Sequence, residues 1–245
     1  MNQKYQIDEI LFLDIETVPQ EHDFSQLNEE TQALWQIKAD QLQARTLEEA
    51  QTPEDYYERA GIYAEFGKII CISVGYVAKK KGQLQLRVKS FAGDDEHTIL
   101  AQFSELLANT HPSRFTALCA HNGREFDFPY LCRRLLINSM PLPRCLAING
   151  KKPWELNHLL DTMQLWKFGD YKHFTSLRML ANVFGIPSPK DDISGSDVSK
   201  VYYEEKDLNR IIQYCQKDVA TLAKVYARLM LETLDFEEIV VEEVE

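Results

Sequence analysis

The run ILFLDIETV at residues 10–18 limits the possible fold more than any other segment. It is apolar enough for the middle of a sheet, yet it carries two acids, Asp14 and Glu16, at i and i+2. Side chains alternate along a strand, so both carboxylates point to one face. Two carboxylates side by side in a buried strand repel each other and lose solvation, a cost that cations between them would remove. The bland alternative is a strand end emerging into water, with DIET as its polar edge. The pair alone does not separate the two.

The rest of the pattern predicts the sheet around this strand. KIICISVGYVA (68–78) and QLQLRVKSF (83–91) read as a hairpin, and FTALCAH (115–121) as a further strand. Helical periodicity falls at 95–109, at 125–138 before Pro141 and Pro143, at 176–184 before Gly185, and at 207–231. A short strand is expected at 144–148, mixed structure at 159–168, and a long Ser-, Pro- and Asp-rich loop at 186–206. Residues 22–62 are polar and helix-prone, with a break at Pro53. The tail DFEEIVVEEVE offers either an edge strand or an unstructured segment. A hairpin implies antiparallel pairs and crossover helices imply parallel ones, so the class is α/β, a mixed sheet with helices on both faces. Residues 1–231 read as one domain with an acidic helical insertion at 20–66, followed by an acidic tail at 232–245.

A net charge of −11 argues against an acidic polymer as ligand. The distribution changes that. Residues 20–66 carry a net −8 and residues 231–245 a net −7, so the remainder carries +4. The stretch 144–190 holds seven bases against three acids. The N-terminus lacks a signal pattern and no run is apolar enough to span a bilayer, so the expectation is a cytoplasmic protein without a membrane partner. The five cysteines form no CxxC pair and read as buried reduced thiols.

Two more acidic settings accompany the first. In HNGREFDFPYL, an Asn-Gly turn precedes Asp127, which falls in the first turn of the next helix. The helix dipole alone would favour an acid there. In IIQYCQKDVATL, Tyr214 and Asp218 are i and i+4, on one helix face. Each signal is ordinary by itself, and their order and settings give them weight.

Together LDIET, HNGREFD and YCQKD resemble the three motifs of the DEDD superfamily of 3′–5′ exonucleases. Tyr214 in the Tyr-x-x-x-Asp form marks the DEDDy branch; the sister branch has a histidine where Gln213 stands. The nearest likeness is to the proofreading exonuclease domain of family-B DNA polymerases as a stand-alone protein. LRMLANVFGIPSPKDDISGSDV resembles the segment before the third motif in such proteins. The resemblance covers about residues 8–230, leaving the insert and tail outside. It implies an RNase H-like mixed five-stranded sheet, with the helical insertion after the first strand. It also implies two divalent cations, Mg²⁺ or Mn²⁺: Asp14 bridging both, Glu16 and Asp218 completing one site, and Asp127 holding the other largely through water. Tyr214 would orient the attacking water; a phenol with a pKa near ~10 is a poor free base.

The expected substrate is a single-stranded nucleic acid, DNA in preference to RNA, cut from its 3′ end into 5′-mononucleotides. Asn122, Phe126, Lys151 and Lys172 are candidate substrate contacts, with Lys152, Lys167 and Arg178 as further phosphate contacts. Asn122 reads equally as a turn former. Of Phe126 and Phe128, at least one belongs to the core. Asp161 reads as a helix N-cap, and His121 as structural. The alternatives are an exoribonuclease of the same fold, or a non-catalytic nucleic-acid-binding or scaffold protein on an inactivated nuclease fold. The 20–66 insertion would offer a surface for a protein partner.

Overall fold

In the computed structural model, residues 5–45, 51–80, 83–170, 174–187, 193–232 and 238–242 are described. The chain opens with β1 (Ile10–Pro19), then enters the insertion with α1 (Glu29–Gln43) and α2 (Pro53–Tyr57). Pro53 begins α2 instead of breaking a helix, because a missing N–H costs nothing in a first helical turn. The hairpin β2 (Gly67–Lys80) and β3 (Gln83–Ala92) leads to α3 (Glu96–Thr110), β4 (Ala117–Ala120) and α4 (Asp127–Ile137). β5 (Leu159–Asp161), α5 (Thr162–Lys167), α6 (Leu177–Val183), α7 (Val198–Lys200), α8 (Leu208–Leu229) and β6 (Glu238–Glu242) complete it.

The sheet order is β5-β4-β1-β2-β3-β6. β2 runs antiparallel to both β1 and β3, while β4 runs parallel to β1, β5 to β4 and β6 to β3. This is the expected RNase H-like mixed sheet, with one strand more than the five anticipated. The sixth comes from the tail, which takes its edge-strand alternative.

Three local expectations are corrected. Residues 144–148 form no strand but a 3-10 turn at Arg144–Leu146. Pro141 and Pro143 remove ladder donors just before it, and Cys145 and Leu146 turn into the core. The fifth strand lies instead at Leu159–Asp161, inside the stretch expected to be mixed. The 186–206 loop contains α7 and a wide π-type turn at Val201–Glu205.

β1 explains how both faces are covered. Its odd residues Leu11, Leu13 and Ile15 pack with α3 and α4 through Leu100, Phe103, Leu131 and Leu135. Its even residues Ile10 and Phe12 pack under α8 with Val219, Ala223 and Tyr226. Val18, further along the even row, meets Ile211 and Cys215 of the same helix. The insertion has its own small core around Trp35, Tyr56 and Tyr57. It is fastened close to β1: a Cβ on Gly61 would lie 2.9 Å from the Val18 carbonyl carbon, and Tyr130 donates to the Gly61 carbonyl at 2.8 Å. The buried Glu96–Arg134 pair links α3 to α4, while the Ile69 amide and the Ala64 carbonyl extend it to β2 and the end of the insertion. No helix among the described residues is long and apolar enough to cross a membrane.

Candidate active site

Asp14 and Glu16 occupy the even row of β1, between the apolar contacts of Phe12 and those of Val18. The strand-edge alternative fails, since Glu16 is buried and apolar packing resumes beyond it. α8 crosses this row. Its Ile211, Cys215 and Val219 pack on the sheet, and Tyr214 and Asp218 flank that stripe half-buried. The Cys215 Sγ lies 3.4 Å from Asp14 Oδ2, and ligand atoms of Asp14, Glu16 and Cys215 all fall within 4.8 Å of one another.

Asp127 arrives from the other side. β4 pairs with β1 only as far as Phe12, so the edge of β1 beyond that point faces the start of α4. There the Ile15 amide bonds to the Asp127 carboxylate. Asp127 is buried, and its Oδ1 has no partner. The turn before it depends on Gly123: a Cβ there would meet that of Ala120 at 2.4 Å. Asn122 takes a left-handed φ of 61°, which Asn tolerates better than most residues, and its buried Oδ1 is also unpartnered.

Electrostatics mark these carboxylates as a group. Burial, then Asp218 and Asp127, hold the Asp14 carboxyl well above its usual range. Burial, then Asp14, does the same to Glu16. Burial pushes Asp127 up to about 7. Burial, then Asp218, raises the Tyr214 phenol, which is hydrogen-bonded to Asp218. Such shifts gather where charge is destined for a cation or substrate. Hard oxygen donors, one of them orphaned and buried, fit divalent cations of the Mg²⁺ or Mn²⁺ type.

Two residues do more here than the sequence reading assigned. Asp161 caps α5, accepting from the amides of Met163 (2.9 Å) and Gln164 (3.2 Å). It also clasps the second-motif turn, accepting from Asn122 N (3.0 Å) and Arg124 N (3.1 Å). The cap was legible from the helix that follows; the clasp needed tertiary structure. Cys215 is a buried thiol as expected, yet it lies among the candidate ligands; its place on the Ile211–Val219 stripe was the available signal.

The other candidates divide. His121 is structural: Nδ1 meets Thr162 Oγ1 and Nε2 donates to the Thr175 carbonyl, both at 2.8 Å. Phe126 is half-buried against Tyr130, with ring centroids 5.3 Å apart, and Phe128 is fully in the core. Lys151 is exposed, away from the carboxylates in sequence but just before the segment that Arg124 binds. Lys172 lies outside the described residues. Beyond Glu16, a cleft of about 350 Å³ is lined by Thr17 and Pro19 of β1, Arg59 and Gly61 of the insertion, and Ser196 and Ser199. The insertion therefore walls a cleft at the end of β1.

This fold, with an acidic row buried in its central strand, defines an RNase H-like nuclease. The model of a family described as predicted 3′-5′ exonuclease related to the exonuclease domain of PolB matches residues 62–244, and the chain belongs to that family. The match begins after β1 and runs into the tail, which the motif resemblance had left outside. Among solved structures, the chain is similar to the family B DNA polymerase from the hyperthermophilic archaeon Pyrobaculum calidifontis, with a TM-score of 0.58 and 16% identity. That likeness covers 91% of this chain but 24% of the polymerase, so the chain spans about a quarter of it. No curated protein matches the sequence.

Proposed function

We propose that the chain hydrolyses phosphodiester bonds at the 3′ ends of single-stranded DNA and releases 5′-mononucleotides. The observation that carries this reading is the convergence of β1, α4 and α8: Asp14, Glu16, Asp127 and Asp218 crowd together, and a buried Asp127 oxygen is left without a partner. Asp14, Glu16, Asp127 and Asp218 would hold two divalent cations, which supply charge neutralisation for the attacking and leaving oxygens. Tyr214 orients the attacking water through its hydroxyl. With a pKa raised above that of an ordinary phenol, it keeps its proton and acts as a hydrogen-bond donor rather than a base. Asp161 holds the turn that aims Asn122 and Asp127, so that Asn122 is available to the terminal nucleotide.

The test uses 5′-labelled single-stranded DNA and RNA with Mg²⁺ or Mn²⁺, and the Asp14→Ala variant. A 3′-shortening ladder on DNA that disappears in the variant is the expected result. Cleavage confined to RNA would move the assignment to an exoribonuclease. No cleavage with either metal would leave a binding protein on a nuclease fold.

A further inference from the structure

We infer that an aromatic and basic rim formed by Trp154, Phe168 and Phe174, with Lys152, binds the single strand upstream of the scissile bond by stacking its bases. The inference rests on the nuclease reading of the site and adds the path of the substrate to it.

Three large aromatic rings are mostly in water, Trp154 at 66% exposure, Phe168 at 74% and Phe174 at 69%. They come from three separate segments, and one turn gathers them. That turn, 121–125, is also the one that leads into Asp127. Arg124 donates to the carbonyls of Leu156 (3.1 Å) and Leu159 (2.8 Å), which fixes the segment carrying Trp154. Glu125 receives Gln164 at 3.3 Å and Lys167 at 3.8 Å, which fixes the end of α5 next to Phe168. His121 donates to the Thr175 carbonyl, next to Phe174. Each ring is thus one or two residues from a bond to the turn bearing Asn122, whose side-chain Oδ1 is unpartnered.

Two details point to a ligand rather than to incidental exposure. Phe168 ends α5 in a left-handed conformation, φ 46°, where glycine or asparagine is usual; a phenylalanine is held there with its ring outward. Lys152 places its ammonium 5.1 Å from the centre of the Trp154 ring, so cation and π-face stand together. Interleaved aromatics and cations are what a single strand needs: bases stack on rings while phosphates meet ammonium groups. The 144–190 stretch carries this surplus of bases in a chain of net −11, which favours a polyanion over another copy of this acidic chain.

The experiment compares wild type with a Trp154→Ala, Phe168→Asn, Phe174→Ala variant. Asparagine is chosen for the second change because it tolerates the left-handed backbone. Binding of a fluorescein-labelled oligothymidylate of about 20 nucleotides is measured by anisotropy in EDTA, and the expected loss is about tenfold or more, since stacking of one base typically supplies a factor of roughly 5 to 150. With Mg²⁺, the wild-type KM falls as the substrate lengthens from a dinucleotide, and the variant loses that dependence. As a measurement needing no variant, the oligothymidylate quenches wild-type tryptophan fluorescence, and Trp154→Phe removes most of the quenching. A folded triple variant that binds like wild type overturns the rim while leaving the exonuclease assignment intact. Wild type that binds with quenching but cleaves nothing supports the rim and ends the exonuclease assignment. Self-association of wild type, abolished in the variant without any change in strand binding, overturns the rim in favour of a protein interface.

Discussion

Replacing Asp127 by asparagine should stabilise the metal-free protein while destroying its activity. The Asp127 carboxyl is raised to about 7 from an ordinary 3.8, with burial as the first cause. An acid whose folded-state pKa exceeds its unfolded value keeps its proton longer in the folded chain. No penalty exists below about 3.8; stability falls as the pH climbs through the window, and the full penalty is present above about 7. At pH 8 the difference amounts to about 4 kcal/mol, and at pH 5.5 to about 2 kcal/mol. The substituted amide carries no charge and escapes this penalty at both. With about 2–4 °C per kcal/mol for a chain of this size, the melting-temperature gap between variant and wild type in EDTA should widen by roughly 5 °C from pH 5.5 to pH 8. Saturating Mg²⁺ should narrow it, because a ligand held by the ionised carboxylates stabilises only the wild type. Differential scanning fluorimetry over that pH range measures all three quantities. A variant no more stable than wild type at pH 8 in EDTA, or a gap independent of pH, would refute the idea that Asp127 is a buried charge awaiting a cation.

Tyr214→Phe should lower kcat by about tenfold or more while KM and the Mg²⁺ midpoint hold, as read in single-turnover assays; full kcat would remove the hydroxyl from the mechanism. Asp161→Ala strips four backbone amides of one carboxylate, and should cost about 3 kcal/mol in urea melts and lower kcat through the displaced Asp127 turn. A wild-type kcat in that variant would show that the turn holds without its clasp. Glu96→Ala strands the buried Arg134 guanidinium and should cost roughly 3–5 kcal/mol in the same melts; a loss under about 1 kcal/mol would contradict the burial of that pair. Removing residues 232–245 uncovers the β3 edge, so the truncated chain should melt lower and aggregate at lower concentration; an unchanged melting curve would mean that β6 adds nothing.

Much of the candidate site's arrangement was legible because each motif brings its own local geometry. A strand puts Asp14 and Glu16 on one face, a helix puts Tyr214 and Asp218 on one face, and an Asn-Gly turn announces the helix holding Asp127. These are short-range consequences of alternation and of the 3.6-residue repeat. Elements whose identity depends on partners were harder to read. Leu159–Asp161 is three residues long and is a strand because β4 lies beside it. Arg144–Leu146 has comparable apolar content, but two prolines precede it and the core claims its side chains. The tail carried both of its alternatives until β3 supplied an unpaired edge.

The sequence by itself determined which side chains share a face, since backbone periodicity needs no partner: two acids on one strand row, a tyrosine and an acid on one helix stripe. Only the tertiary structure decided that the strand row is buried beneath that stripe, between Phe12 and Val18, with Asp127 closing the open edge of β1. Carboxylates far apart in sequence shift one another's protonation only once folding removes the water between them, and that juxtaposition turns ordinary acids into a candidate metal site. The double duty of Asp161, the thiol of Cys215 among the carboxylates and the rings gathered around residues 121–125 likewise exist only where separate segments meet.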